Sequence, residues 1–269
     1  MLFKMKITYL FIFFILISCI HSTKLKNEPI AKTQAIKAIK EVNNRLNSEL
    51  DKDILLDNVL KQLKLNRSKI DTQFLALKIR PENSSETILI IPENVDAEDE
   101  GYDFILNSHI IIANSKTGKI KNSTTERWTS DAVMLTEATI DTAPYIVTDE
   151  IRAFGIRTKE QTQSQPNPYN NESLSLFIKS GDSLKKILNY YDVNTFIGEW
   201  NTICEGEFLD TENILIMSKE KTNGFYNLIV KSNKTYANSF KDRNGDCLSE
   251  EKLSLEKSKL IYNGIVYNK

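Results

Sequence analysis

Enzymes assemble titratable or nucleophilic side chains in sets, and this chain offers few sets. It holds 2 histidines and 3 cysteines. His21 lies near the N-terminus, and His109 lies inside the apolar stretch Ile105–Ile112. A Ser-His-Asp arrangement needs a histidine that faces a carboxylate. Ser108 is next to His109, but neighbours on a strand point to opposite faces. His109 therefore reads as a strand histidine with a local partner. Zinc sites draw on several His or Cys ligands, so no metal site and no cofactor are expected. The richest set is carboxylate. Residues 126–157 hold Trp128, Asp131, Glu137, Asp141, Tyr145, Asp149, Glu150, Arg152 and Arg157, and Glu199, Trp200, Glu205 and Glu207 follow around Cys204. Two carboxyl groups can share the proton transfers of glycoside hydrolysis while an indole stacks on sugar. Acidic residues on the solvent faces of strands make the same pattern, so no catalytic residue is assigned. Trp128, Asp131, Asp141, Arg152, Arg157, Glu199 and Trp200 stand as candidate binding residues.

Other short patterns carry less. Ser183-Leu-Lys-Lys186 has the S-x-x-K spacing of penicillin-binding proteins, and Tyr169-Asn-Asn171 and Lys116-Thr-Gly118 superficially complete their set. The chain order is wrong for that family, so the match reads as chance. Asp242-Arg-Asn-Gly-Asp246 resembles the start of a calcium loop, but Cys247 and Leu253 stand where an EF-hand needs its glycine and its glutamate. A hairpin turn is expected there. The acidic run Asp96, Glu98, Asp99, Glu100 and Asp103 reads as a solvated loop.

The N-terminus reads as an address. Lys4 and Lys6 precede an apolar run, Ile7–Ile17. Crossing a bilayer as a helix takes ~20 apolar residues, so this run is too short to span and fits the core of a secretory signal peptide. Leu16-Ile-Ser-Cys19 then resembles the bacterial lipobox, which implies that Cys19 is lipidated and anchors the mature protein in a membrane. Cys204 and Cys247 remain. An exported chain meets an oxidising space, so these two are expected to form a disulfide. In Gram-negative lipoproteins an Asp after the lipidated Cys retains the protein at the inner membrane. Ile20 in that position implies the outer membrane, facing the periplasm.

The elements follow from periodicity. Residues 1–18 are the signal peptide and 19–32 a polar tether. Residues 33–70 form a helical segment: Ala35, Ile36, Ile39, Val42, Leu46 and Leu50 recur at helical spacing, and a second helix is expected from Asp53, its N-cap, with Ile54, Leu55, Leu56, Val59, Leu60 and Leu63. Such a stripe packs on its own core more readily than on a membrane. Residues 71–190 read as a β-rich sub-domain. Its strands are expected at Phe74–Ile79, Thr87–Ile91 (ended by Pro92), Phe104–Ala113, Ala132–Leu135, Tyr145–Val147, Ala153–Arg157 and Leu174–Ile178, with an exposed loop over 161–171 and one late helix over 183–191. Residues 191–269 read as an antiparallel β sub-domain. Asn223-Gly224, Asn244-Gly245 and Asn263-Gly264 each suit a type I′ turn. The fold class is α+β, mainly β: an N-terminal helical segment followed by antiparallel sheets, sandwich-like or partly propeller-like, without a fixed-period repeat.

Composition narrows the partners. Of 269 residues, 41% are hydrophobic and 26% charged, an ordinary globular balance. The formal net charge is −1, and loss of the leader lowers the basic residues from 35 to 33 against 36 acidic ones. Nothing here attracts nucleic acid. The strings W-T-S-D-A (128–132), I-D-T-A-P-Y (140–145), R-A-F-G-I-R (152–157), N-P-Y (167–169), L-S-L-F (174–177), G-E-W (198–200) and C-E-G-E-F (204–208) resemble a family of exported Gram-negative proteins without an established activity. The resemblance implies an envelope location and no mechanism. Three roles are expected in order: a non-catalytic binding or structural module held at the membrane, with a protein or glycan partner in the envelope; a carboxylate-dependent hydrolase of envelope glycan; and an inhibitor that presents the 161–171 loop to another enzyme.

Overall fold

The computed structural model describes residues 51–95 and 103–269. Cys19, the tether, the first helical repeat and the acidic residues Asp96–Glu100 lie outside the described residues. Residues 51–63 are helical (α1). Asp53 is therefore inside the helix and not its cap. With Asp57 it instead binds Arg67, which reaches back from the short 3-10 turn Arg67–Lys69.

Twelve strands follow among the described residues, mainly antiparallel, as expected. β1 is Ala76–Arg80, β2 Asn83–Asn94, β3 Phe104–Asn114 and β4 Ile120–Ser130, a meander of hairpins. β5 (Met134–Ile146), β6 (Arg152–Gln161), β7 (Tyr169–Ser180) and β8 (Ser183–Trp200) make a second meander. It continues through β9 (Gly206–Thr222), β10 (Phe225–Lys241), β11 (Cys247–Tyr262) and the short β12 (Tyr267–Asn268). One parallel bridge, Ser123 to Ser183, joins the meanders.

Burial explains the apolar runs. Ile88, Ile90, Ile110 and Ile112 face one way and pack with Trp128, Leu135, Ile140, Phe154, Ile156 and Phe177 between the two meanders. Leu89, Ile91, Ile111 and Ala113 face the other way, against Leu56, Val59 and Leu60 of α1. Strands covered on both faces read as unbroken apolar runs. A third cluster joins Leu174, Leu176, Ile178 and Ile187 to Leu228, Val230, Leu260, Tyr262 and Tyr267. It is a core under the base of β10 and β11.

The structure corrects several expectations. Residues 183–191 are strand, not helix. They pair with β7 across the tight turn at Gly181, and Leu184, Ile187 and Leu188 are buried in two different clusters. Tertiary pairing overrides a helical period here. Pro92 does not end its strand. β1 pairs with β2 only as far as Ile90, so beyond it Pro92 lies past the β1 ladder, and its carbonyl accepts from Asp71 N–H. β4, with its polar sequence, was not anticipated. Ala132–Leu135 and Tyr145–Val147 overlap the two ends of one long strand, β5, whose ladder with β6 shifts register twice. The sequence division at 190 falls inside β8, and the described residues form one compact unit.

The turns differ among themselves. Asn223 and Gly224 have φ of 50° and 81°, as a two-residue type I′ hairpin requires. At the other two sites only the glycine has positive φ. The Asp242 and Asn263 carboxyl and amide oxygens accept backbone N–H groups and close wider loops.

Candidate functional site

Arg157, Asp141, Tyr145 and Glu172 come together on β5, β6 and β7. Arg157 Nε donates to Asp141 Oδ2 and its Nη1 to Glu172 Oε1, each at 2.8 Å. Tyr145 donates its hydroxyl to Asp141 Oδ2 at 2.7 Å, Ala143 N–H donates to Oδ1, and Asn194 donates to Glu172. Burial alone would raise the Asp141 carboxyl. The Ala143 amide, the Tyr145 hydroxyl and Arg157 outweigh it and hold Asp141 below the usual range. Glu172 is lowered in the same way, against burial, by Arg157 and Asn194. Burial and Asp141 push the Tyr145 phenol up. The backbone allows this close approach because Gly155 lies beneath: a Cβ there would come within 2.6 Å of Leu174. Every polar atom of the cluster is engaged with protein, so it locks β5, β6 and β7 together and offers no free acid or base.

The remaining candidates scatter. Arg152 donates to the Thr142 carbonyl at 2.7 Å. Asp131 turns β4 into β5 by accepting from Val133 N–H. Trp200 donates its indole N–H to the Gln165 carbonyl, and its backbone N–H donates to Pro166. Gly198 N–H donates to Pro168. The 162–168 loop is thereby pinned along β8. Glu199 lines an open groove with Trp200, Glu205 and Glu207. Cys204 and Cys247 form a disulfide with Cα atoms 5.6 Å apart. His109 shares a face with Ile111. Its Nδ1 lies 3.1 Å from Thr125 Oγ1 and its Nε2 lies 3.5 Å from Glu93. Ser183 Oγ donates to Ser180 O, and Lys186 pairs with Glu126, so the S-x-x-K residues do not meet.

One cleft escaped the sequence reading. Trp128, Arg127, Glu160, Asn171, Ser173, Tyr190 and Asp192 line a cavity of about 280 Å³. Glu160 has no ion-pair partner among the described residues. Burial, then the negative charges of Asp192 and Asp131, push its carboxyl up. Tyr190 has φ 41°, a left-handed conformation rare for a bulky residue. Its N–H donates to Ser175 Oγ, its hydroxyl donates to Glu126, and Lys186 Nζ lies 4.2 Å from its ring centroid. The Trp128 indole N–H is buried without an acceptor among the described residues. Only Trp128 carried a sequence signal. Glu160 sits in a polar run, Lys159-Glu-Gln161, that reads as solvated, and nothing local joins it to Asp192.

The second distinctive region is the outer sheet. Beyond Val193, Val230 and Leu260 the strands β8 to β11 run on past the core. Ile197, Tyr236 and Leu248 are exposed on one face, and Ile214, Leu253 and Leu255 on the other. A groove of about 320 Å³ crosses β9 to β11 between Phe208, Tyr236 and Lys252. Comparison with protein-family models, curated proteins and solved structures finds no match. No helix among the described residues is long and apolar enough to cross a membrane.

Proposed function

We propose that this chain is a lipid-anchored protein of the bacterial cell envelope whose outer sheet is a non-catalytic binding module for a protein partner. The anchor rests on the apolar run and Cys19 in the sequence. The binding role rests on one observation: the β8–β11 extension carries large apolar side chains on both faces, where a sheet that served only folding would cover at least one. The candidate carboxylate Asp141 and its neighbour Glu172 are committed to Arg157, which favours binding over hydrolysis. A photo-cross-linking residue placed at Tyr236 or Ile197 should capture the same envelope protein in intact cells, and one at Ile79, exposed on β1, should not. Equal capture from all three positions, or none, defeats this reading. Cys19→Ala should move the protein from the membrane to the soluble fraction, or leave it as uncleaved precursor. Normal processing with unchanged membrane extraction defeats the anchor.

A second reading, hydrolysis of envelope glycan, is favoured by the raised Glu160 carboxyl beside Asp192 in the Trp128 cleft. A carboxyl raised by burial suits the general-acid role in such chemistry. It predicts release of reducing ends from envelope glycan that Glu160→Gln abolishes. Absence of release by the unaltered protein removes it.

A further inference from the structure

Among the described residues β11 is an edge strand. At one end Cys247 is tied to Cys204, and at the other β12 covers Ile261 and Tyr262. Between them Leu248–Leu260 pair on one side only, with β10, among the described residues. Such an edge has a row of unsatisfied backbone groups. Leu253 and Leu255 are 75% and 81% exposed, the two most exposed large apolar residues described. They lie on the same face. Three charges beside them are unpaired: Glu251, Lys252 and Lys257 have no ion-pair partner among the described residues, whereas Glu256 is met by Lys234, and Lys257 lies directly opposite Lys231. Like charges in that position destabilise a sheet.

The order of these residues is self-complementary. Run antiparallel to itself about Ser254, the strand sets Leu253 against Leu255, Lys252 against Glu256 and Glu251 against Lys257. Ser254 meets its own copy, and Ser254 is also the midpoint of the open edge Leu248–Leu260. A two-fold axis normal to the sheet keeps each face on its own side, so only a residue can sit at the centre. The neighbouring choices are worse. Centring on Leu253 sets Glu250 against Glu256, and centring on Leu255 sets Leu253 against Lys257. The geometry points to a homodimer in which β11 adds to β11 of a second copy, antiparallel about Ser254, continuing the outer sheet from one subunit into the other. Four leucines, two from each copy, then cover one another on one face, and Glu251 of the second copy neutralises the Lys231–Lys257 pair. Charges on an edge strand ordinarily repel other chains. Here their order admits one partner in one register. The pairing concerns the edge and is independent of what the faces of the sheet bind.

The test is sedimentation of the full chain in density-matched detergent from about 1 to about 100 µM, where a small interface of this kind should dissociate. A monomer–dimer equilibrium is expected. Glu251→Lys and Lys257→Glu each put like charges opposite one another and should weaken the dimer by about tenfold or more. An equimolar mixture of these two variants should regain the original affinity, because each supplies the charge that the other needs. A chain that stays monomeric, or a dimer indifferent to both substitutions, overturns the proposal. Under oxidation Ser254→Cys should give a species of doubled mass, since opposed Cα atoms at about 4.5–5.5 Å suit a disulfide. Ser258→Cys, opposite Glu250, should not. Cross-linking by both variants, or by neither, overturns the register.

Discussion

Two regions of one continuous sheet are stabilised in different ways. In the body, Ile88–Ile91 on β2 are fully buried, with one face under α1 and the other against the second meander. Charge follows the same rule. The Glu86 side chain is 4% exposed and is met by Arg80, Lys121 and Lys179. In the outer sheet no second layer covers the strands among the described residues, and Leu253 and Leu255 stand in solvent. Its cohesion comes from the long β9–β10–β11 ladders, cross-strand pairs such as Lys234–Glu256, and the disulfide at its far end. Cross-strand pairs contribute only about 0.2–1 kcal/mol each. The same backbone geometry thus serves as a core in one place and as a presented surface in the other.

Substitutions should separate the two regions. The largest effect is expected at Glu86. Replacing it with Ala strands Arg80, Lys121 and Lys179 around an uncharged site and should cost about 3–5 kcal/mol, read as a shift in the chemical denaturation midpoint. A loss under about 1 kcal/mol would mean that the body does not depend on this buried charge. Leu176→Ala, in the core beneath β10, should cost about 2–5 kcal/mol.

Breaking the disulfide with Cys204→Ser and Cys247→Ser should cost about 2–4 kcal/mol. Limited proteolysis of that variant should cut within 201–250 while the body survives. Simultaneous loss of both regions would show that they unfold as one unit.

Acid should act first on the body. Burial raises the Glu86 carboxyl, but the hydrogen bonds from Lys179, Lys121 and Arg80 more than offset it and bring it to about 2. A carboxyl depressed in the folded state stabilises fully above its unfolded value of ~4.5, and that stability is lost as pH falls toward ~2. Stability should therefore decline over this window, and Glu86→Gln should flatten the decline. Parallel declines in both proteins would assign the acid sensitivity elsewhere. The smallest effect is expected at Leu255. Leu255→Ser should change stability by less than about 0.5 kcal/mol. A much larger loss, measured on dilute monomer, would show that the leucine is buried in solution.

Much of the fold was legible because local chemistry reports it. Helical spacing marked α1, apolar runs marked β2, β3 and β7, and Asn223-Gly224 marked a turn that needs two positive φ angles. β4 was missed because its exposed face leaves Ile120-Lys-Asn-Ser-Thr without a visible period. The 183–191 stretch was misread because Leu184, Ile187 and Leu188 mimic a helical face, and the bulged β7–β8 ladder that spaces them so is not a local property. Among the candidate residues, Asp141, Arg157 and Tyr145 do meet, but as a satisfied ion-pair network. Glu160 and Asp192 converge from β6 and β8 with no local mark.

By itself the sequence determined the mainly antiparallel β class with a helix before it, the cysteine pair, and the charge order of β11, since each depends on residues near in sequence or few in number. Only the tertiary structure decided which carboxylates are neutralised, that Trp128 is buried at a cleft with Glu160, and that β11 stands at an open edge with its leucines exposed. Those outcomes depend on which strands become neighbours and which faces are covered, and strand pairing across tens of residues is set by the energy of the whole packed sheet.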